Sequence, residues 1–184
     1  MLIPELPSYL SNLDGAEYKG LIISLFTLTA GLSRPFSGKL VDTIGRKPVL
    51  VIGSLFCVLS GLFYPILASV SGFLFLRLFH GFSCGFCPTA MTAYVSDIIP
   101  KNRLGEAMGI QGLSFSVGLA LGPALGSYIK LYFGYDVLFY SSSFLALVSI
   151  ILVIKVKETL ADKKRFQSSS LKISKSDIIA KEAI

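Results

Sequence analysis

Charge and histidine are scarce in this chain, and tryptophan is absent. Only 15% of its 184 residues are Asp, Glu, Lys or Arg, against about a quarter in an ordinary soluble domain. Hydrophobic residues make up 53%, and the mean hydropathy is +0.70. A water-soluble fold of this length could not cover so much apolar surface, whereas a lipid bilayer can. The single histidine, His80, lies inside an apolar run, which leaves no Ser-His-Asp arrangement and no histidine cluster for a metal. The three cysteines, Cys57, Cys84 and Cys87, also lie in apolar runs and offer no disulfide framework. Cys84-Gly-Phe-Cys87 has a C-x-x-C spacing, but a structural zinc needs four ligands and no second pair accompanies it. Small residues for packing are the better reading. With no phosphate-binding loop either, the expectation is a protein that is not an enzyme and holds no cofactor or metal.

The net charge of +6 does not indicate nucleic acid, because the basic residues do not gather on one amphipathic surface. They fall in short clusters between apolar runs, as membrane topology is written. Met1–Leu10 has neither a basic start nor a small-residue cleavage site, and so is not a signal peptide.

What the chain does have is apolar stretches of membrane-crossing length, about 20 residues each. Five are read: Gly20–Leu40, Pro48–Ser69, Phe73–Ser96, Ala107–Ile129 and Val137–Val156. Their short connections predict antiparallel neighbours. One side of the membrane receives Lys39, Arg46 and Lys47, then Lys101 and Arg103, then Lys155, Lys157, Lys163, Lys164 and Arg165. The other receives only Lys19 and Lys130. By the positive-inside rule the first side is cytoplasmic. Residues 1–19 are then an external segment, 20–156 the five spans, and 157–184 a polar cytoplasmic tail or linker. Ile3, Leu6 and Leu10, set among Pro4 and Pro7, read as the outer end of a preceding helix.

The loop after the first span runs Gly38-Lys-Leu-Val-Asp42-Thr-Ile-Gly45-Arg46-Lys47-Pro48. Gly38 lets a helix end approach a neighbour, Asp42 sets a carboxylate at the membrane edge, and Gly45 permits a tight turn. Arg46 and Lys47 supply charge, and Pro48 suits a first helical turn. Singly, each fits any basic membrane loop. Together they match G-x-L-x-D-x-x-G-R-[RK], a signature of the major facilitator superfamily, which this sequence resembles. Further segments agree in order. Pro4-Glu-Leu-Pro7 is similar to the end of the family's first helix in drug:proton antiporters. Arg77-Leu-Phe-His80-Gly81 resembles R-x-x-Q-G of the fourth helix, with His80 in place of glutamine. Asp97-Ile-Ile-Pro100-Lys-Asn-Arg103 resembles the following loop. Gly118-Leu-Ala-Leu-Gly122-Pro123-Ala-Leu-Gly126 resembles the antiporter motif of the fifth helix, and Lys157-Glu-Thr-Leu160 the segment after the sixth.

The resemblance implies an all-α integral membrane fold: the N-terminal half of a major facilitator transporter, family helices two to six, with the first mostly missing. It makes Gly38, Asp42, Gly45, Arg46, Lys47 and Arg103 candidates for gating between alternating-access states. Arg77 becomes a candidate cavity or proton-coupling residue. The lesser alternative is an arginine near the external end that snorkels to the headgroups, since a charge within a span costs roughly 2.5–3.5 kcal/mol. His80, one turn on, is either a partner in proton coupling or a neutral packing group. Gly118, Gly122, Pro123 and Gly126 are a hinge or leak seal, or simply a close helix contact. Arg34, one turn before Gly38, is divided between snorkelling and gating. The implied function is proton-driven export of drug-like or metabolite solutes, with the lipid bilayer, a small solute, protons and a second transporter half as partners, at the plasma or inner membrane. Sugar or organic-acid uptake, and a non-transporting membrane protein that binds a partner, remain as alternatives.

Overall fold

The computed structural model describes residues 2–160; the reading of a polar tail falls almost wholly outside them. All regular structure among the described residues is helical. A short helix α1 (Leu6–Asn12) leads through a 3-10 turn (Ala16–Tyr18) into α2 (Lys19–Ile44), α3 (Arg46–Phe63) and α4 (Val70–Ile98). A second 3-10 turn (Lys101–Arg103) precedes α5 (Leu104–Lys155).

Local chemistry sets these boundaries. Gly45 breaks α2 from α3 with φ +112°, a conformation that L side chains rarely adopt. Ser69 caps α4 by accepting a hydrogen bond from Gly72 N at 3.2 Å, and α4 stops just short of Pro100, which cannot continue a helix. Gly134, with φ +84° and ψ 179°, interrupts α5, and the contacts on either side show that the chain reverses there. Gln111 reaches Thr92 near the end of α4, while Ser127 reaches Glu5 before α1. Beyond Gly134, Ser143 Oγ donates to Val58 O at 3.2 Å and Lys47 Nζ reaches Ile154 O. Residues 135–155 therefore run back along α3, antiparallel to residues 104–133. The five apolar stretches read in the sequence overlap α2, α3, α4 and the two arms of α5, although α3 ends at Phe63, six residues before the stretch Pro48–Ser69 does.

Among the described residues, three helical stretches are long and apolar enough to cross a membrane: Arg46–Phe63, Val70–Ile98 and Lys101–Lys155. Arg34 and a run of serines and threonines dilute the apolar face of α2, which is not among them. Large side chains point outward from the bundle, among them Leu113, Phe115, Leu131 and Phe144. In water that surface would drive aggregation; in lipid it costs nothing.

The interior divides into two clusters. At the end bearing the Gly45 loop, Val41, Val49, Leu50, Phe86 and Ala90 pack together. At the far end Leu6, Tyr9, Leu10, Ile22, Tyr64, Phe73, Leu76, Leu138 and Phe139 form the larger one. The segment before α2 is thus no loose extension: Leu6 and Leu10 are fully buried. Tyr9 stacks within 5.6 Å of Phe73, Tyr135 and Phe139 and donates to Tyr64 O at 3.1 Å.

Small residues let the helices approach. Gly81 and Gly85 of α4 face Phe26, Thr29, Ala30 and Ser33 of α2, and a methyl on Gly81 would lie 2.6 Å from Phe26 O. Ser37 Oγ donates to Gly85 O at 2.9 Å across the same seam. Cys87 meets Gly53 and lies 3.9 Å from Leu50 O; all three cysteines are free, and among the described residues no group of His, Cys, Asp and Glu could hold a metal. Because a backbone oxygen cannot swing away as a side chain can, Gly81→Ala should destabilise the bundle by about 1–3 kcal/mol. Equilibrium unfolding in mixed micelles would check this, with Gly118→Ala, where a methyl meets nothing, expected to be neutral.

Candidate functional site

The loop that joins α2 to α3 is the centre of a charged junction. Arg46 opens α3 with its side chain only 12% exposed. Its Nε donates to Asp97 Oδ2 at 2.7 Å, its Nη1 to Val41 O at 2.9 Å, and its Nη2 lies 3.5 Å from Asp97 Oδ1. Charge-assisted contacts of this length are the strong ones. Asp42 is a lesser partner, 3.6 Å from Nη1 and 74% exposed, where an ion pair contributes little.

The segment after α5 completes the junction. Glu158 takes the backbone N–H groups of Arg46 at 3.0 Å and Lys47 at 3.1 Å, so a carboxylate sits on the positive N-terminus of α3. In return Lys47 Nζ donates to Ile154 O near the carbonyl end of α5. Thr159 Oγ1 donates at 2.7 Å to Asp97 Oδ2, the oxygen that also receives Arg46. Burial alone would push the Glu158 carboxyl up. The N–H groups of Leu160, Arg46, Thr159 and Lys47 outweigh it and hold the group below its usual value of 4.5. Gly45 is doubly constrained here, because a methyl would strike the Glu158 carboxylate 2.5 Å away in addition to straining the turn.

At the far end a second polar group is buried. Arg77 of α4 is 2% exposed. Its Nε donates to Ile22 O at 3.2 Å, and its guanidinium lies 4.4 Å over the Phe26 ring, a cation–π contact. No carboxylate among the described residues pairs with it. One turn on, His80 Nδ1 lies 3.4 Å from Tyr64 Oη and packs edge-on to Phe26 at 5.8 Å. The snorkelling alternative for Arg77 does not fit this burial.

Several sequence candidates sit elsewhere than expected. Arg103 does not join the junction; it pairs with Glu106 at 2.9 Å on its own helix, both largely exposed, because that spacing puts the two on one face. Gly38 meets no neighbour, and neither does Gly118, so neither supports the close helix approach expected of it. Gly126 is buried and Pro123 lies within α5; Gly122 is partly buried. Arg34 is exposed. Sequence reasoning did not single out Asp97, Glu158 and Thr159, although Asp97 and Glu158 stand inside segments that resembled family motifs. A carboxylate flanked by a helix end was the available signal.

A model of the Major Facilitator Superfamily matches residues 1–181. The chain belongs to this family. Over 92% of its length it is 34% identical to Multidrug resistance protein 2 of Bacillus subtilis (strain 168), covering 43% of that protein. Over 86% it is 32% identical to the Multi-drug resistance efflux pump PmrA of Streptococcus pneumoniae serotype 4, covering 41%. The chain thus spans less than half the length of these relatives. Among solved structures, the family's proton:xylose symporter XylE superposes with a TM-score of 0.76 over 86% of this chain and 41% of its own, at 17% identity. That likeness shows the fold alone. The human organic anion transporter MFSD10 superposes with a TM-score of 0.68 at 25% identity, over 82% of this chain and 36% of its own. The protein is therefore a multi-pass membrane protein with part of the major facilitator architecture.

The Glu158 cap carries a pH signature. Its folded value lies below 4.5, so its stabilisation is fully present above the unfolded value and lost as pH falls through the folded one. Glu158→Gln should cost about 1–2 kcal/mol at neutral pH and flatten the loss of stability below pH 4.5, measured by unfolding across pH.

Proposed function

We propose that this chain is part of a secondary active transporter, not an enzyme, that exports drug-like or metabolite solutes in exchange for protons by alternating access. The observation that carries the reading is the junction at Arg46. One guanidinium joins the start of α3 to the end of α4, and the segment after α5 reaches α3 through Glu158 and α4 through Thr159. An arrangement of short charged contacts at helix ends suits a joint that closes in one state and opens in another. The resistance-protein names of the relatives favour efflux over uptake. Arg77, buried without a carboxylate, is the residue we assign to proton coupling or to the solute cavity, with His80 and Tyr64 beside it. Gly38, Asp42, Gly45, Arg46 and Lys47 are assigned to gating, and Gly122, Pro123 and Gly126 to a helix contact that bears on it.

In this reading the Gly45 loop and the segment beyond Lys157 face the cytoplasm, Glu5 and Lys130 face outward, and the protein resides in the plasma or inner membrane. A second transporter half completes the solute path, so transport is assayed with this chain as part of a whole transporter. In everted vesicles, Asp97→Asn should slow proton-driven export of a fluorescent cationic dye roughly tenfold, the scale of a typical coupling between conformational states. Asp42→Asn should slow it less, and a protonophore should abolish it. Wild-type export by Asp97→Asn, with normal membrane insertion, contradicts the proposal.

A further inference from the structure

The arm of α5 formed by residues 104–133 is thinly supported. Only Gly126 within it is buried. A methyl added at Gly105, Gly109, Gly112 or Gly118 meets no neighbour, and Gly134, where the arm ends, is equally open. Leu113, Phe115 and Leu131 point away from the bundle. Apolar packing therefore does little to fix the arm's position, and its polar ties matter more.

One tie is the 3.3 Å contact of Gln111 with Thr92. The stronger one is at the opposite end. Glu5, immediately before α1, is only 8% exposed, and both carboxylate oxygens are engaged by the arm. Oε1 accepts from Ser127 Oγ at 2.5 Å, and Oε2 meets Lys130 Nζ at 2.6 Å. Ser127 and Lys130 are three residues apart and so share a helix face. Lys130 Nζ also lies 5.1 Å from the centre of the Tyr135 ring, and Tyr135 packs tilted against Tyr9 at 5.1 Å. The contact therefore joins α1, the outgoing arm and the start of the returning arm. Neither the antiporter-like motif nor the gating loop accounts for it.

We propose that Glu5, Ser127 and Lys130 form a latch that holds the 104–133 arm to the α1 end of the bundle, and that breaking it frees the arm to pivot at Gly134. The two charges are not equivalent. Lys130 is 31% exposed and can turn to water, whereas Glu5 is 10% exposed at its side chain and would be left buried with a lone serine. Removing the lysine should accordingly do more harm than neutralising the acid, because a buried charge without its partner is costly.

Hydrogen–deuterium exchange of the purified chain in lipid nanodiscs tests this. Lys130→Met should raise exchange across residues 119–133 roughly tenfold, and Glu5→Gln should raise it less. The charge-swapped pair Glu5→Lys with Lys130→Glu should fall back toward wild type, and α3 should be unchanged throughout. Wild-type exchange at 119–133 in both single variants overturns the proposal. So does a rise of equal size in α3, which marks general loosening of the bundle. The latch stands apart from the transport reading, since a chain that moves no solute can still show or lack it.

Discussion

The order of the Gly45-loop end of the bundle depends on where one guanidinium can find its partners. Arg46 begins α3, so its own backbone N–H faces out of the helix and needs an acceptor, while its side chain is pulled largely out of solvent. Glu158 meets the first need and Asp97 the second. Both acceptors come from chain far away in sequence. The backbone at Gly45 must bend through φ +112° to bring Arg46 to them, and no side chain at that position would leave room for Glu158. Turn, cap and ion pair are thus one constraint seen from three sides.

That constraint explains why the two ends of the bundle differ. At the far end, aromatic rings and Leu6, Leu10 and Leu138 fill the interior, and Tyr9 stitches four elements together by stacking and one hydrogen bond. Tightly packed apolar surface of that kind resists change. At the loop end a smaller apolar cluster is joined by charged, directional contacts between helix ends, which are easier to break and remake. Between the two ends, Gly81 and Gly85 hold α2 and α4 at close range. A bundle rigid in its middle with a breakable joint at one end is suited to a family whose members rock about a central site.

The all-helical class and the family were legible in the sequence because bilayer thickness and a dense local motif leave a strong imprint on composition. Gly45, Arg46 and Lys47 were legible for the same reason: turn, charge and helix start are neighbours in the chain. Asp97, Glu158 and Thr159 were not singled out, because their role depends on a meeting of residues more than fifty positions apart. The pairing of Arg103 with Glu106 was not legible either, since a basic residue in a cytoplasmic-type loop says nothing about whether its nearest acid is on its own helix. The glycines show a similar limit. Spacing marked Gly118 for close contact, yet Gly81, Gly85 and Gly53 make tight approaches, and which face of a glycine-rich helix meets a neighbour is a tertiary fact. Glu5 lay within a Pro-x-x-Pro segment whose prolines drew the attention, while its partner Lys130 looked like a lone charge on the sparse side.

The claim on which most rests is that Arg46 and Asp97 act as a coupled pair that joins α3 to α4. A double-mutant cycle measures this directly: equilibrium unfolding of the wild type, Arg46→Met, Asp97→Asn and the combination, in one lipid or micelle system at neutral pH. A pair in contact through a short charged hydrogen bond should give a coupling energy of about 1–3 kcal/mol. Effects that add to within about 0.5 kcal/mol would contradict the account, because each residue would then be stabilising the bundle without the other.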